Sequence, residues 1–212
     1  MSSPSKVTLY HSPQSRSTAA LILFEELGVD YELHPLNMRA GDTRAPEFLA
    51  VNPMGKVPAI LHNGALITEQ AAVFMYLADL YPDRRLAPPI GHPLRGPYLR
   101  WMVFYGSCVE PALVDRALKR EGAPPSMLPY GDVDTTIRTF TNQLAKGPYI
   151  LGDTFTAADV LWGAALTWLS AFKLLPAHPD IKAYIDRFAR RPATVSGRAK
   201  DAALMASMMA SA

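Results

Sequence analysis

The chain of 212 residues reads as a small α/β unit followed by an all-helical one, an α/β plus all-α fold class. Three observations predict this. Proline-free runs, where helices can lie, cover 14–34, 59–81, 98–110, 130–147 and 149–175. The first part alternates β-prone segments with helical spacing, and the rest shows helical spacing alone. Between them Pro82, Pro88, Pro89, Pro93 and Pro97, with Gly91 and Gly96, mark a linker. The expected division is 1–81 for the α/β domain, 82–92 for the linker and 93–212 for the helical domain.

Each element has its own local signal. Val7 to His11 is short and β-prone, and Tyr31 to Leu33 reads as a second strand. Between them Ala20, Leu23, Phe24 and Leu27 repeat at helical spacing, with Gly28 as the stop. A helical crossover between two strands implies parallel pairing. Pro46 to Val51 suits a short helix. Val57–Leu61 and Ala65–Ile67 flank His62-Asn63-Gly64, a turn that favours an antiparallel hairpin. Val73, Tyr76, Leu77 and Leu80 then lie on one face of a third helix.

In the second part, Tyr98 to Leu118 is a long helical stretch with Pro111 inside it, so a kink is expected there. Asp132 to Lys146 is another helix. Thr156 and Asp159 form an acidic capping-box pattern, and Leu161, Ala164, Ala165, Trp168, Leu169 and Phe172 continue as an apolar stripe. Helices are also expected over Pro179–Arg190 and Ala199–Met209. Cys108, among Trp101, Phe104 and Tyr105, reads as a small core residue.

Composition excludes several classes of function. The chain is 49% hydrophobic, too apolar for disorder. Its net charge of +2 carries no block of like sign, which argues against nucleic acid as a partner. No apolar run is long enough to span a membrane. Met1 to Lys6 lacks an apolar signal core, so a reducing cytoplasm is the expected compartment. One cysteine cannot build a disulfide framework, and the five histidines lack ligand spacing, so no metal is expected.

Three segments carry candidate chemistry. Tyr10-His-Ser-Pro-Gln-Ser-Arg-Ser-Thr18 brings Ser12, Ser15 and Ser17 to the junction of the first strand and helix. Amides of a first helical turn lack acceptors and carry partial positive charge, so a serine there caps the helix or helps hold an anion. In Asn52-Pro-Met-Gly-Lys-Val-Pro58, a cis Val57-Pro58 bond would free the Val57 backbone for an extended ligand. Thr68-Glu-Gln70 opens the third helix, where amides suit a carboxylate and Glu69 suits an ammonium. Each segment also has a purely structural reading, as cap, turn and acidic first turn.

Taken in order, these segments resemble the glutathione transferase family. The likeness extends through Tyr-Leu-Ala-Asp-Leu-Tyr-Pro82 and Phe-Thr-Ala-Ala-Asp159, over nearly the whole chain. It implies a thioredoxin-like N-terminal domain, an all-helical C-terminal domain, glutathione as co-substrate and a homodimer. It also implies that Val57, before Pro58, pairs with the cysteinyl part of glutathione, and that Lys56 reaches the glycyl carboxylate. Glu69 and Gln70 resemble the pair that binds the γ-glutamyl end, with Gln70 where the family usually has serine.

Comparison with cysteine-type members puts Arg16 at the cysteine position, which argues against mixed-disulfide chemistry. Comparison with serine-type members, the zeta class in particular, puts Ser15 there; Ser12 and Ser17 stay open after a small loop shift. The resemblance thus implies a cytosolic enzyme that activates the glutathione thiolate for attack on a small apolar electrophile. A glutathione-dependent isomerase or dehalogenase, or a non-catalytic binding or regulatory protein, are the alternatives on the same fold. Cys108 lies far along the chain from the serine segment, so the reactive sulfur should come from glutathione.

Overall fold

The computed structural model describes residues 6–120 and 123–210. It divides into two compact units, 1–84 with 190–212, and 85–189. The first unit holds a four-stranded sheet in the order β2-β1-β3-β4, from β1 (Val7–His11), β2 (Tyr31–Pro35), β3 (Ala59–His62) and β4 (Ala65–Ile67). β1 and β2 are parallel, while β3 runs antiparallel to both β1 and β4. The β3–β4 turn places Asn63 and Gly64 at φ 52° and 79°, the left-handed pair a tight hairpin needs.

Helix α1 (Ser17–Leu27) makes the crossover from β1 to β2 and ends at Gly28, whose N–H donates to Phe24 O at 3.0 Å. Helices α2 (Pro46–Val51) and α3 (Gln70–Leu80) complete the α/β motif. Strand alternation separates two cores. Val7, Leu9 and His11 share one face with the buried side of α1. Tyr10 points to the other face, where it packs with Phe48 of α2, Leu36 and Ala59. Tyr10 is therefore a core residue.

Helix α9 (Pro192–Ala210) also belongs to this unit by packing, although the sequence boundary groups it with the helical domain. Its Gly197 lies against α1, where an added Cβ would come within 2.7 Å of Ile22 Cγ1 and 3.1 Å of Ile22 Cα. The bidentate pair of Arg191 with Glu26, and the contacts of Lys200 and Ser196 with Glu25, secure the flank.

The second unit contains α4 (Arg95–Phe104), α5 (Glu110–Ala117), α6 (Val133–Leu144), α7 (Ala157–Ala171) and α8 (Pro179–Ala189). A π-type turn over Tyr105–Val109 joins α4 to α5 just before Pro111. Where the kink is expected there is a widened turn that accommodates the missing proline N–H. Cys108 lies in that turn, half-buried rather than in the core, and burial pushes its thiol up. Trp162 of α7 anchors the core, donating its indole N–H to Trp101 O at 2.9 Å.

The acidic capping box at α7 forms as expected. Asp159 accepts from Thr156 N at 2.8 Å, Ile150 N at 2.7 Å and Tyr184 Oη at 2.6 Å. Leu161, Ala165 and Leu169 of the expected apolar stripe are buried, joined by Trp162 and Leu166, whereas Ala164 and Trp168 are half-buried and Phe172 is exposed. Gly163 lies against the Phe188 ring, with room for no Cβ, which brings that side of the helix into the core. Among the described residues no helix is long and apolar enough to cross a membrane.

Gly197→Ala should lower stability by up to about 2 kcal/mol. Overpacking at Ile22 costs about 1–3 kcal/mol and outweighs the helix-propensity gain of about 1 kcal/mol. Urea unfolding of the two proteins measures the difference.

Candidate active site

The site is built at one end of the two central strands of the first unit's sheet. Tyr10 pairs with Ala59, so the end of β1 and the start of β3 lie side by side. The serine segment leaves β1 there, and Val57-Pro58 enters β3 there. Gln70 Nε2 donates to Arg16 O at 3.4 Å, which brings the start of α3 to the start of α1. Topology thus gathers three segments that are far apart in sequence.

Asn52 organises the segment before β3. Its Nδ2 donates to Lys56 O at 2.8 Å, and its Oδ1 accepts from Met54 N at 3.2 Å. Gly55 stands at φ 60°, and a Cβ on it would come within 2.5 Å of Thr43 O, so only glycine fits. The turn delivers an exposed Lys56 and then Val57, whose peptide bond to Pro58 is cis. Among the described residues the Val57 amide and carbonyl have no hydrogen-bond partner. They are free for an extended ligand.

The start of α3 is strained. Glu69 has φ 60° and ψ 116°, outside the regions a non-glycine residue prefers. Such a conformation costs about 1–3 kcal/mol and is typically retained at functional positions. The Glu69 side chain is exposed, near Thr68 Oγ1 at 3.4 Å. First-turn amides of α3 lie immediately beyond it.

In the serine segment the three hydroxyls differ. Ser12 and Ser17 are buried, Ser15 is half-buried and Arg16 is exposed. Ser15 Oγ accepts from Ser17 N at 3.1 Å, so it caps α1. Ser15 Oγ also lies 2.7 Å from Ser12 O and 2.7 Å from Ser17 Oγ. Ser15 is the one serine that both joins this network and reaches solvent. Neither the cap nor the ligand reading of the segment displaces the other, because the oxygen accepts from Ser17 N while its proton, donated to Ser12 O, can turn from that carbonyl to a ligand.

Beneath these serines lies a group that sequence reasoning missed. His11, at the end of β1, is 0% exposed, and its Nδ1 is 2.7 Å from Ser17 Oγ. Its Nε2 is 3.2 Å from Asp201 Oδ1 of α9. That oxygen stands off the N–H direction, so the contact is electrostatic and Nε2 has no aligned partner. Asp201 also accepts from Thr18 Oγ1 at 2.6 Å and from Gln14 N at 3.2 Å. Burial pushes its carboxyl up, but His11, Thr18 and the Gln14 amide outweigh this, so the net shift is downward. Spacing could not reveal a partner 190 positions away (201 − 11). The available signal was a histidine at the buried-face parity of β1.

Among the described residues no group of three or more His, Cys, Asp or Glu side chains could hold a metal ion.

Two family models match the chain. The glutathione S-transferase N-terminal domain covers residues 5–79, and the C-terminal domain covers 130–187. The glutathione S-transferase GstA of Escherichia coli O157:H7 is 31% identical over 189 residues, spanning 87% of this chain and 93% of that protein. The chain belongs to the glutathione S-transferase family. A glutathione transferase structure from Methylococcus capsulatus aligns with TM-score 0.77 at 30% identity, over 92% of this chain and 98% of that one. A sphingomonad glutathione S-transferase complexed with glutathione aligns with TM-score 0.75 at 28% identity, over 92% and 98%. The thioredoxin-like sheet with its helices, followed by a helical domain, is thereby accounted for.

Asp201 also predicts an acid-side instability. Its folded pKa is depressed, so its contribution is present above the ordinary carboxylate value of about 4 and is lost as pH falls through the lower folded value. The melting temperature should therefore drop more steeply below about pH 4 in the parent than in Asp201→Asn. Thermal melts at stepped pH check this.

Proposed function

We propose that the protein binds glutathione at this end of the sheet and stabilises its thiolate for attack on a small apolar electrophile. Membership of the family supports glutathione conjugation at the general level, and the relative complexed with glutathione supports the co-substrate. The observation that carries the finer reading is the unpartnered Val57 backbone beside the half-buried Ser15 hydroxyl.

In this reading Val57 N–H and C=O pair with the cysteinyl residue in an extended, strand-like manner. Lys56 meets the glycyl carboxylate. Glu69 meets the γ-glutamyl ammonium, and the first-turn amides of α3 meet its carboxylate. Gln70 contributes its backbone amide here, because its side chain is turned to Arg16 O. The thiol then falls beside Ser15 at the start of α1.

The electrostatics favour an anion there. A free thiol with pKa of about 8.5 is mostly protonated at neutral pH, and the thiolate is the nucleophile. The Ser15 hydroxyl donates to the sulfur and does not itself attack. Amides at the start of α1 and the exposed Arg16 add positive potential. One pKa unit of depression corresponds to about 1.4 kcal/mol, so two or three such contacts suffice to make the thiolate dominant. Cys108, raised by burial, stays protonated at neutral pH and takes no part.

Two variants separate binding from activation. Glu69→Gln should weaken glutathione binding about tenfold by calorimetry, because a charge-assisted contact is lost. Ser15→Ala should leave affinity within a few-fold but raise the pKa of bound glutathione by about one unit. Thiolate absorbance in the ultraviolet, followed against pH, reads this. An unchanged titration transfers the role to Ser12, Ser17 or Arg16. No binding at millimolar glutathione overturns the whole reading.

A further inference from the structure

The polar chain beneath Ser15 has a definite chemical order. Ser15 Oγ is 2.7 Å from Ser17 Oγ, which is 2.7 Å from His11 Nδ1, and His11 Nε2 is 3.2 Å from Asp201 Oδ1. Ser15 is half-buried, Ser17 and His11 are 0% exposed, and Asp201 is buried. Helix capping needs none of the last three groups, since Ser15 alone accepts the Ser17 N–H. A histidine between a hydroxyl and a carboxylate is also the order used to make a serine nucleophilic. Here Ser17 is inaccessible to substrate, so that use is closed.

Proton counting assigns the directions. A hydroxyl offers one proton and two acceptor sites. Ser12 N, 3.1 Å away, takes one acceptor site of Ser17 Oγ. The Asp201 carboxylate favours a proton on His11 Nε2, so in the neutral ring Nδ1 is an acceptor. The Ser17 proton then goes to Nδ1 at 2.7 Å in preference to Ser12 O at 3.1 Å. The single Ser15 proton has two acceptors at 2.7 Å, Ser12 O and the second site of Ser17 Oγ. With that proton turned to Ser17, the chain points inward from Ser15 to Ser17 to His11.

We propose that His11 takes up the proton of the bound glutathione thiol, passed inward through Ser15 and Ser17, with Asp201 as the counter-charge. This rests on the thiolate-stabilising role of Ser15 given above. The step balances. The S–H bond breaks and an N–H bond forms at His11 Nδ1, while each serine gives one proton and gains one. Afterwards every hydrogen bond in the chain is reversed. The imidazolium donates to Ser17, Ser17 donates to Ser15, and Ser15 donates to the new thiolate. The charge formed inside is a buried imidazolium against a carboxylate that also accepts from Thr18 and Gln14 N. Among the described residues Asp201 is the charged group recorded within ion-pair distance of His11.

The test uses the full chain and glutathione itself. Nitrogen-15 spectra of the histidine rings are recorded without glutathione and at saturation, at a pH where thiolate absorbance has developed. The expected result is a neutral His11 ring protonated at Nε2 before binding and doubly protonated after it. Calorimetry in two buffers of different ionisation enthalpy should then find close to zero protons released per thiolate formed. In Ser17→Ala the thiolate proton should instead appear in the buffer, about one per site, and the thiolate fraction at pH 7 should fall about tenfold. Ser196→Ala removes a contact of α9 with Glu25 that lies outside the chain and should leave both readouts unchanged, whereas a general loosening of α9 would move them.

The outcomes separate the two claims. If bound glutathione shows no thiolate, the activation reading fails; if Ser15→Ala leaves its titration unmoved, the role leaves Ser15; in either case this proposal falls. If the thiolate forms and depends on Ser15 while His11 stays neutral, or is already doubly protonated without ligand, the relay alone is overturned. The spectra of the unaltered protein decide this even where a variant does not fold.

Discussion

A buried contact between the end of the first strand and the last helix organises the first unit. Asp201 of α9 faces His11 of β1 and also holds Thr18 and the backbone of Gln14. A carboxylate removed from water is stable only when its oxygens are occupied, and these three groups occupy them. In doing so they fix the turn between β1 and α1. Gln14 adopts φ 56°, a left-handed conformation uncommon for its type, where its N–H meets Asp201. The serine segment keeps its shape because a residue from the far end of the chain completes it.

The second unit is held by a parallel device. Asp159 satisfies the start of α7, the Ile150 amide and the Tyr184 hydroxyl at once. Burial pushes its carboxyl up against the pull of those donors, and burial beside it pushes Tyr184 well up. Removing either partner would leave a buried polar group unmatched, at about 1–3 kcal/mol. In both units one acidic side chain serves several backbone and side-chain donors, and the apolar packing closes around it.

Site and stability meet at α9. The close packing of Gly197 on Ile22 sets how near α9 comes to α1, and Asp201 lies about one turn further along the same helix. The strained Glu69 and the unpartnered Val57 stand at the same end of the sheet. Strain and unsatisfied backbone are features a fold retains where a ligand makes use of them. The cap, the turn and the acidic first turn are real structural features, and in the proposed reading the groups that form them also meet the ligand.

Local signals in the sequence determined a good deal. Proline spacing, strand alternation and the Asn63-Gly64 turn specified the mixed sheet with its parallel and antiparallel pairs. Asn52 and Gly55 specified the turn before Pro58, and Thr156 with Asp159 specified the start of α7. These work through neighbours a few residues apart, so a linear reading reaches them. What only the tertiary structure decided is where distant elements meet. It widened the buried face of α7 to Trp162 and Leu166, where Gly163 admits the Phe188 ring, and left Phe172 outside it. It moved α9 onto α1 and turned His11 from a strand-end residue into the centre of a buried polar chain. A carboxylate and an imidazole attract each other through space, and their separation along the chain leaves no trace in either one's local sequence.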